Sequence, residues 1–321
     1  IRRPPRSTLD RSSAASDVYK RQTMDYQTIL YSADDAIATI SLNRPERLNT
    51  IVPPMPEEIA AAVDSANLDS DVKVIVLRGI GHSFCAGFDF GPEFETGYGD
   101  QLSTEGNWDP GKDMIGAINH QTGYVPKFMS MWHSPKPVIA QVHGWCVGGG
   151  SDMALCADLI IASDDAQIGA PYSRLWGCYL SGMWIYRLGL SRCKWHALTG
   201  EPLSGKDAAE VELINCAVPF DRLEKEVNDL AHKLVRMPLS QLAAMKLVVN
   251  KAYENLGIAN TQVMGTLLDG YMRNTPEGKR FLDTAIEDGV GAAIHNRDKQ
   301  FGDYSFAKTD QKPNPGNVIT P

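Results

Sequence analysis

The sequence lacks the signals that would mark several common classes of protein. It has six cysteines in 321 residues, and no two of them form a C-x-x-C pair. Scattered at Cys85, Cys146, Cys156, Cys178, Cys193 and Cys216, they read as reduced core thiols, not as a metal site or a disulfide frame. That usage points to the cytoplasm and to no structural metal. No apolar run reaches the roughly 18 residues of a membrane helix, so no membrane association is expected. Positive charge is also scarce, with 31 Lys and Arg against 39 Asp and Glu, a net charge of −8. This argues against nucleic acid as the main partner. Residues 1–23 depart from that balance with six basic and two acidic residues, which leaves the remainder at −12. The segment is rich in Arg and Ser, precedes the first methionine (Met24), and lacks the apolar stretch of a secretory signal. It is expected to be a disordered, non-native or leader-like extension.

What remains is ordinary for a globular chain: 43% hydrophobic and 22% charged residues. A chain this long buries roughly 75% of its unfolded surface and needs no cross-links to build a core. Ile29 to Tyr31 and Ala36 to Leu42 read as a strand pair, and Pro56 to Leu68 has helical spacing. Val72 to Leu77 and Pro137 to Val142 are short apolar runs of the kind that form buried strands. Asp158 to Ala162 and Gln167 to Gly169 add two more. A helix is expected over Asp113 to Trp132, interrupted at Gly123 and Pro126. From Gly182 onward helical patterns dominate, through Met272. The order predicts an α/β core over 24–220, a helical region over 221–305 and a flexible tail over 306–321.

Two glycine-rich turns carry the chemistry. Ser83-Phe84-Cys85-Ala86-Gly87-Phe88-Asp89 follows the first apolar strand, and His143-Gly144-Trp145-Cys146-Val147-Gly148-Gly149-Gly150-Ser151-Asp152 follows the second. Such turns can do no more than reverse the chain. Alternatively, they expose backbone N–H groups, and two of them can aim two donors at one oxygen as an oxyanion hole. The second turn also places Asp152 at the start of a helix, where a solvated acid would be favoured by the dipole.

Five motifs in order then resemble the crotonase superfamily, the enoyl-CoA hydratase/isomerase group. Asn43-Arg44-Pro45-Glu46-Arg47-Leu48-Asn49 is similar to its N-R-P-x-x-x-N turn, and Phe84 to Asp89 to its F-x-A-G-x-D turn. Lys136-Pro137-Val138-Ile139-Ala140 through Gly150 resembles K-P-V-I-A…G-G-G. Leu198-Thr199-Gly200 and Leu213 to Pro219 resemble the later L-T-G and L-V-N-x-V-V-P runs. The resemblance implies a spiral of ββα repeats with a C-terminal helical region, trimers or dimers of trimers, and an acyl-CoA substrate. Coenzyme A would enter as part of that thioester, with no tightly bound cofactor. Matched by position, the oxyanion donors are the N–H groups of Phe88 and Gly149, and the acid/base positions are Asp152 and Tyr172. Ala86, Asp89 and Gly148 fall on substrate-binding positions, and Arg47, Arg297 and Lys299, with Arg44, are candidates for CoA contacts.

The departures matter as much. Asp152 stands where hydratases usually carry Glu, one methylene shorter, and would act directly or through one water. Tyr172 replaces the second Glu. With an ordinary pKa near 10, a tyrosine is a donor or a pocket wall, and a poor base at pH 7. Two-carboxylate hydration is therefore in doubt. Isomerisation, C–C hydrolysis of a β-oxo thioester and non-catalytic acyl-CoA binding stand as alternatives to a hydratase-like lyase. The stretch 90–112 is longer than usual and reads as a loop that shapes the acyl pocket for a bulky group, or as a subunit contact. His143 reads as a packed histidine.

Overall fold

The computed structural model describes residues 25–90, 109, 111, 119 and 123–321. The expected N-terminal extension over 1–23 and nearly all of the 90–112 loop lie outside the described residues. Nine strands form two sheets among the described residues. A six-stranded sheet has the order β1 (Ile29–Asp34), β2 (Ile37–Leu42), β3 (Val74–Gly79), β4 (Val138–Val142), β6 (Leu159–Ser163), β9 (Cys216–Val218). Only β1–β2 is antiparallel; every later pair in this sheet is parallel. A smaller sheet joins β5 (Trp145–Val147), β7 (Gln167–Gly169) and β8 (Leu203–Ser204).

The apolar runs are continuous because the large sheet is covered on both faces. Alternate residues of β3 prove the point. Ile75 and Leu77 join a core with helices α1 (Met55–Leu68) and α2 (Tyr124–His133), while Val74 and Val76 face α7 (Phe220–Val235) through Leu223, Val227 and Ala231. The chain then coils. After β4 it enters the small sheet as β5, turns into the short helix α3 (Gly149–Ala154), and returns to the large sheet as β6. The next coil runs through β7, α4 (Met183–Leu188), α5 (Leu190–Thr199), β8 and α6 (Gly205–Glu210) to β9. This is the ββα spiral that the resemblance implies.

Helices α8 (Leu239–Glu254), α9 (Ile258–Arg273), α10 (Pro276–Glu287) and α11 (Val290–Asp298) follow. The start of α2 at Tyr124 sits close to the Gly123 break expected from sequence. The tail departs from expectation. Gly81 and Ile319 exchange both backbone hydrogen bonds at 2.8 and 3.0 Å, and Asp165 accepts from Asn314 N–H at 2.8 Å and Asn317 Nδ2 at 2.9 Å. The end of the 306–321 segment is therefore docked, because the backbone of Gly81, just beyond β3, and the Asp165 carboxylate receive it.

Candidate active site

The two glycine turns meet because the first pairs with β5, at the edge of the small sheet, through a bridge between Cys85 and Cys146. Cys85 N–H donates to Trp145 O at 2.9 Å, and Val147 N–H donates to Cys85 O at 3.0 Å. The chain beyond Cys85 thus runs beside the chain beyond Val147. Gly87 (φ +100°) and Gly148 (φ +55°) then turn it with backbone angles that L side chains rarely adopt. A Cβ on Gly87 would lie 3.9 Å from the Gly149 nitrogen, and one on Gly148 would lie 4.0 Å from the Tyr172 hydroxyl. Gly148 N–H donates to Gly169 O at 2.8 Å, which ties the second turn to the end of β7 and brings Tyr172 alongside.

Two backbone donors are oriented by this arrangement. Ile51 N–H donates to Gly87 O and Asp89 N–H donates to Ile51 O, so the intervening Phe88 N–H faces away from Ile51. Gly149 is the first residue of α3, where an N–H has no acceptor within the helix. The Phe88 ring lies over Gly149, since a Cβ there would come 2.5 Å from Phe88 Cε2.

The N-R-P motif works as a buttress for the first turn. Asn49 Nδ2 donates to Ile80 O and Ser83 O, both at 2.8 Å, and its Oδ1 accepts from Arg44 N–H. Arg44 and Arg47 each hold Asp89 at 2.9 Å, and Thr50 Oγ1 donates to the same carboxylate at 3.1 Å. Asp89 and Arg47, both expected at substrate, are joined to one another, and neither is among the residues that line the cavity.

Asp152 also sits differently from the solvated acid its position suggested. It is 0% exposed and does not line the cavity. Oδ2 accepts from the Tyr172 hydroxyl at 2.6 Å, and Oδ1 accepts from the Ser181 N–H at 3.0 Å and the Ser181 hydroxyl at 2.7 Å. Burial raises its pKa above the usual 3.8, against the opposing pull of these donors. Tyr172 does line the cavity, and burial followed by the Asp152 charge pushes its pKa well above 10.0. At neutral pH the phenol keeps its proton and donates it to the carboxylate behind it. Ser181 lies 29 residues from Asp152, and no motif signals it.

The cavity measures about 120 Å³ and is walled by Phe88, Phe90, Tyr124, Leu175, Trp176 and Leu180, with Ala86, Gly148 and Gly149 at the turns. Phe90, Trp176 and Phe281 form an edge-on cluster with centroids 5.4 to 5.8 Å apart. Of the expected basic residues, Arg297 lines the cavity and is paired with Asp298 at 2.6 Å. Lys299 does not line it and reaches Asn296 Oδ1 at 3.4 Å. His143 is fully buried, its Nε2 lies 2.8 Å from Gly81 O, and desolvation lowers its pKa to about 4, so it is a neutral packed histidine. Among the described residues no group of three or more His, Cys, Asp or Glu could hold a metal, and no helix is long and apolar enough to cross a membrane.

This geometry has counterparts. The enoyl-CoA hydratase/isomerase family matches residues 32–280. The chain belongs to that family. A crystal structure of an enoyl-CoA hydratase from Mycobacterium smegmatis superposes with a TM-score of 0.80 at 38% identity, covering 87% of this chain and 96% of that one. The hydroxycinnamoyl-CoA hydratase-lyase of Pseudomonas fluorescens is 29% identical over 83% of this chain and 96% of its own. The 1,2-epoxyphenylacetyl-CoA isomerase of Escherichia coli is 28% identical over 85% and 97%. The fold is thus the crotonase spiral with its C-terminal helices. The chain has the form of a hydratase/isomerase-type enzyme, and acyl-CoA is the substrate class consistent with its family.

Proposed function

We propose that this enzyme moves a proton at the carbon next to an acyl-CoA thioester, through an enolate. The carrying observation is the hydrogen bond from the cavity-facing Tyr172 hydroxyl to the buried Asp152 carboxylate. The α-carbon loses its proton to Tyr172 Oη while Tyr172 passes its own proton to Asp152 Oδ2. The C–H electron pair becomes the enolate, whose oxygen takes hydrogen bonds from the Phe88 and Gly149 N–H groups. Each such donor supplies roughly 3–4 kcal/mol at the transition state. The phenol need not ionise beforehand, because the net proton acceptor is a carboxylate whose basicity burial has raised. Return of the proton at another carbon is isomerisation, and its use after attack by water is hydration; both share this step.

The acyl group we assign is compact and ring-bearing. A cavity of about 120 Å³ approaches the roughly 150 Å³ of an apolar cavity that binds benzene, and its walls are aromatic. Two relatives whose names specify ring-bearing acyl groups support this reading. The test is incubation with linear, aromatic and alicyclic enoyl- and β-oxoacyl-CoA thioesters. The expected result is faster conversion of an aromatic enoyl-CoA than of a linear one, with α-deuterium incorporation in D2O. Absence of α-exchange with every thioester would remove the enolate reading.

Self-association is the further part of this reading. Large apolar side chains stand exposed on α8 and α9, among them Leu247, Val248, Met264 and Tyr271, a clustering that marks interfaces. A homotrimer or dimer of trimers is expected. Sedimentation should give a multiple of 35.2 kDa, and a monomer at micromolar concentration would contradict it.

A further inference from the structure

The family's two-carboxylate pattern is broken at Tyr172, yet the cavity does contain another carboxylate. Thr266, Asp269 and Arg273 lie on one side of α9, and all three line the cavity together with Tyr172, Gly148 and Gly149. Asp269 lies far in sequence from both glycine turns, so no turn motif could point to it.

Its position is fixed by the same frame that holds Asp152. Gly265 of α9 packs so closely on the Tyr179 carbonyl that a Cβ would approach it to 2.6 Å. Gln262 Nε2 donates to Ser181 O at 3.0 Å, and Thr261 Oγ1 and Tyr186 Oη are 2.8 Å apart. Ser181 is the residue whose N–H and hydroxyl grip Asp152. The two carboxylates are therefore carried on one rigid unit, one behind Tyr172 and one lining its cavity. Arg273 Nε donates to Asp269 Oδ2 at 3.0 Å and orients it.

A purely stabilising role fits this placement poorly. An exposed i,i+4 pair contributes about 0.3–0.5 kcal/mol, and burial adds a desolvation cost that commonly exceeds the Coulombic gain. Here Arg273 is buried and the pair faces the cavity. The Asp269 charge also reaches the reacting group, since it is among the influences that raise Tyr172 and Cys178.

We propose that Asp269 is the second carboxylate of the site and takes a proton from the water that adds to an enoyl thioester. The proposal rests on the enolate reading above and assigns hydration as the reaction. The water oxygen bonds to the β-carbon, and one of its O–H bonds breaks, the proton going to Asp269. The C=C π pair moves to the α-carbon and the thioester oxygen, held by the Phe88 and Gly149 N–H groups. The α-carbon then takes the Tyr172 proton, and the phenolate left behind regains a proton from Asp269 by way of water in the cavity. One water has been added, and Asp152, Tyr172 and Asp269 are back in their starting states.

The test uses the full chain, with crotonyl-CoA and cinnamoyl-CoA in 18O-water to follow water addition. Butyryl-CoA and 3-phenylpropanoyl-CoA in D2O follow α-proton exchange. Wild type is expected to give the 18O-labelled 3-hydroxyacyl product. Asp269→Asn is expected to lower water addition about 100-fold and exchange far less, so that their ratio falls at least about tenfold. Asp152→Asn lowers both. Asp269→Glu restores part of the water addition. Equal loss of both activities in folded Asp269→Asn overturns the assignment, as does water addition at the wild-type rate. Wild-type exchange without any water addition overturns it while leaving the enolate reading intact; no wild-type exchange overturns both. Should Asp269→Asn fail to fold, Asp269→Glu serves alone: an equal fall in both rates overturns the proposal, and a larger fall in water addition supports it.

Discussion

Tyr172→Phe is expected to lower α-proton exchange about 10²–10⁴-fold while acyl-CoA affinity changes only a few-fold. The substitution keeps the ring that lines the cavity and deletes only the hydroxyl that donates to Asp152 at 2.6 Å. Without it, Asp152 has no path to the substrate, because the carboxylate does not line the cavity. Asp152→Asn should be as damaging, since an amide cannot take up the relayed proton. The pH dependence follows from the raised Asp152 pKa. The base is active only when ionised, so the rate falls as pH drops through a value above 3.8. In Asp152→Asn that limb disappears. Stability moves the other way. A carboxyl whose folded pKa is raised contributes stability fully present below the unfolded value and lost as pH rises through the folded one. Wild type should therefore lose stability relative to Asp152→Asn as pH rises above 3.8. Steady-state pH–rate profiles and thermal unfolding across pH 3 to 8 measure the two effects. If Tyr172→Phe retained full exchange, the phenol would be only a wall.

The sequence carried the fold and the turns well, for a local reason. Val74 to Leu77 and Val138 to Ala140 are apolar on both faces because the sheet is covered on both sides, and such runs are visible without partners. The glycines at 87 and 148 are legible because their backbone angles exclude most other residues. What the sequence did not disclose is which polar groups share a cavity. Asp152 looked like a solvated acid from its position at a helix start, and only the packing of Tyr172 and Ser181 over it shows burial. Nor does the sequence disclose that Asp89 and Arg47, read as ligand contacts, pair with each other across the turn. Asp269 reads as half of an ordinary i,i+4 pair. Its neighbours Met264, Leu268 and Tyr271 are exposed, so hydrophobic patterning gives no clue that one side of α9 lines a cavity. The 3-10 turn at Tyr172–Arg174 was equally hidden. Arg174 there holds Asp303 with two bonds of 2.6 Å and stacks on Phe301, contacts made across more than a hundred residues.

Gly149→Ala is the sharper probe of the oxyanion hole, with an expected loss of about 10²–10³-fold in exchange. The backbone angle at Gly149 is not of the left-handed type, so alanine meets no conformational penalty there. The added methyl instead meets Phe88 Cε2 at 2.5 Å, Phe88 Cδ2 at 2.9 Å and Ile51 Cδ1 at 3.0 Å. These are ends of side chains that can shift, which limits the stability loss to the roughly 1–3 kcal/mol typical of overpacking. The catalytic loss is larger because both donors lie at the point of collision. Gly149 carries one N–H, and the ring that must move belongs to Phe88, which carries the other. Gly150→Ala provides the contrast. Its Cβ runs into the Cys85 carbonyl and lies 2.9 Å from Cys85 Sγ, in the strand edge that joins the turns. Backbone there cannot yield, so that variant should lose stability first and activity only as a consequence. Comparing exchange rate per folded molecule with the unfolding midpoint separates the two. A Gly149→Ala enzyme with unimpaired exchange would mean that the Phe88 ring and the Ile51 tip yield to the methyl without moving either donor, and the expected loss would be overturned.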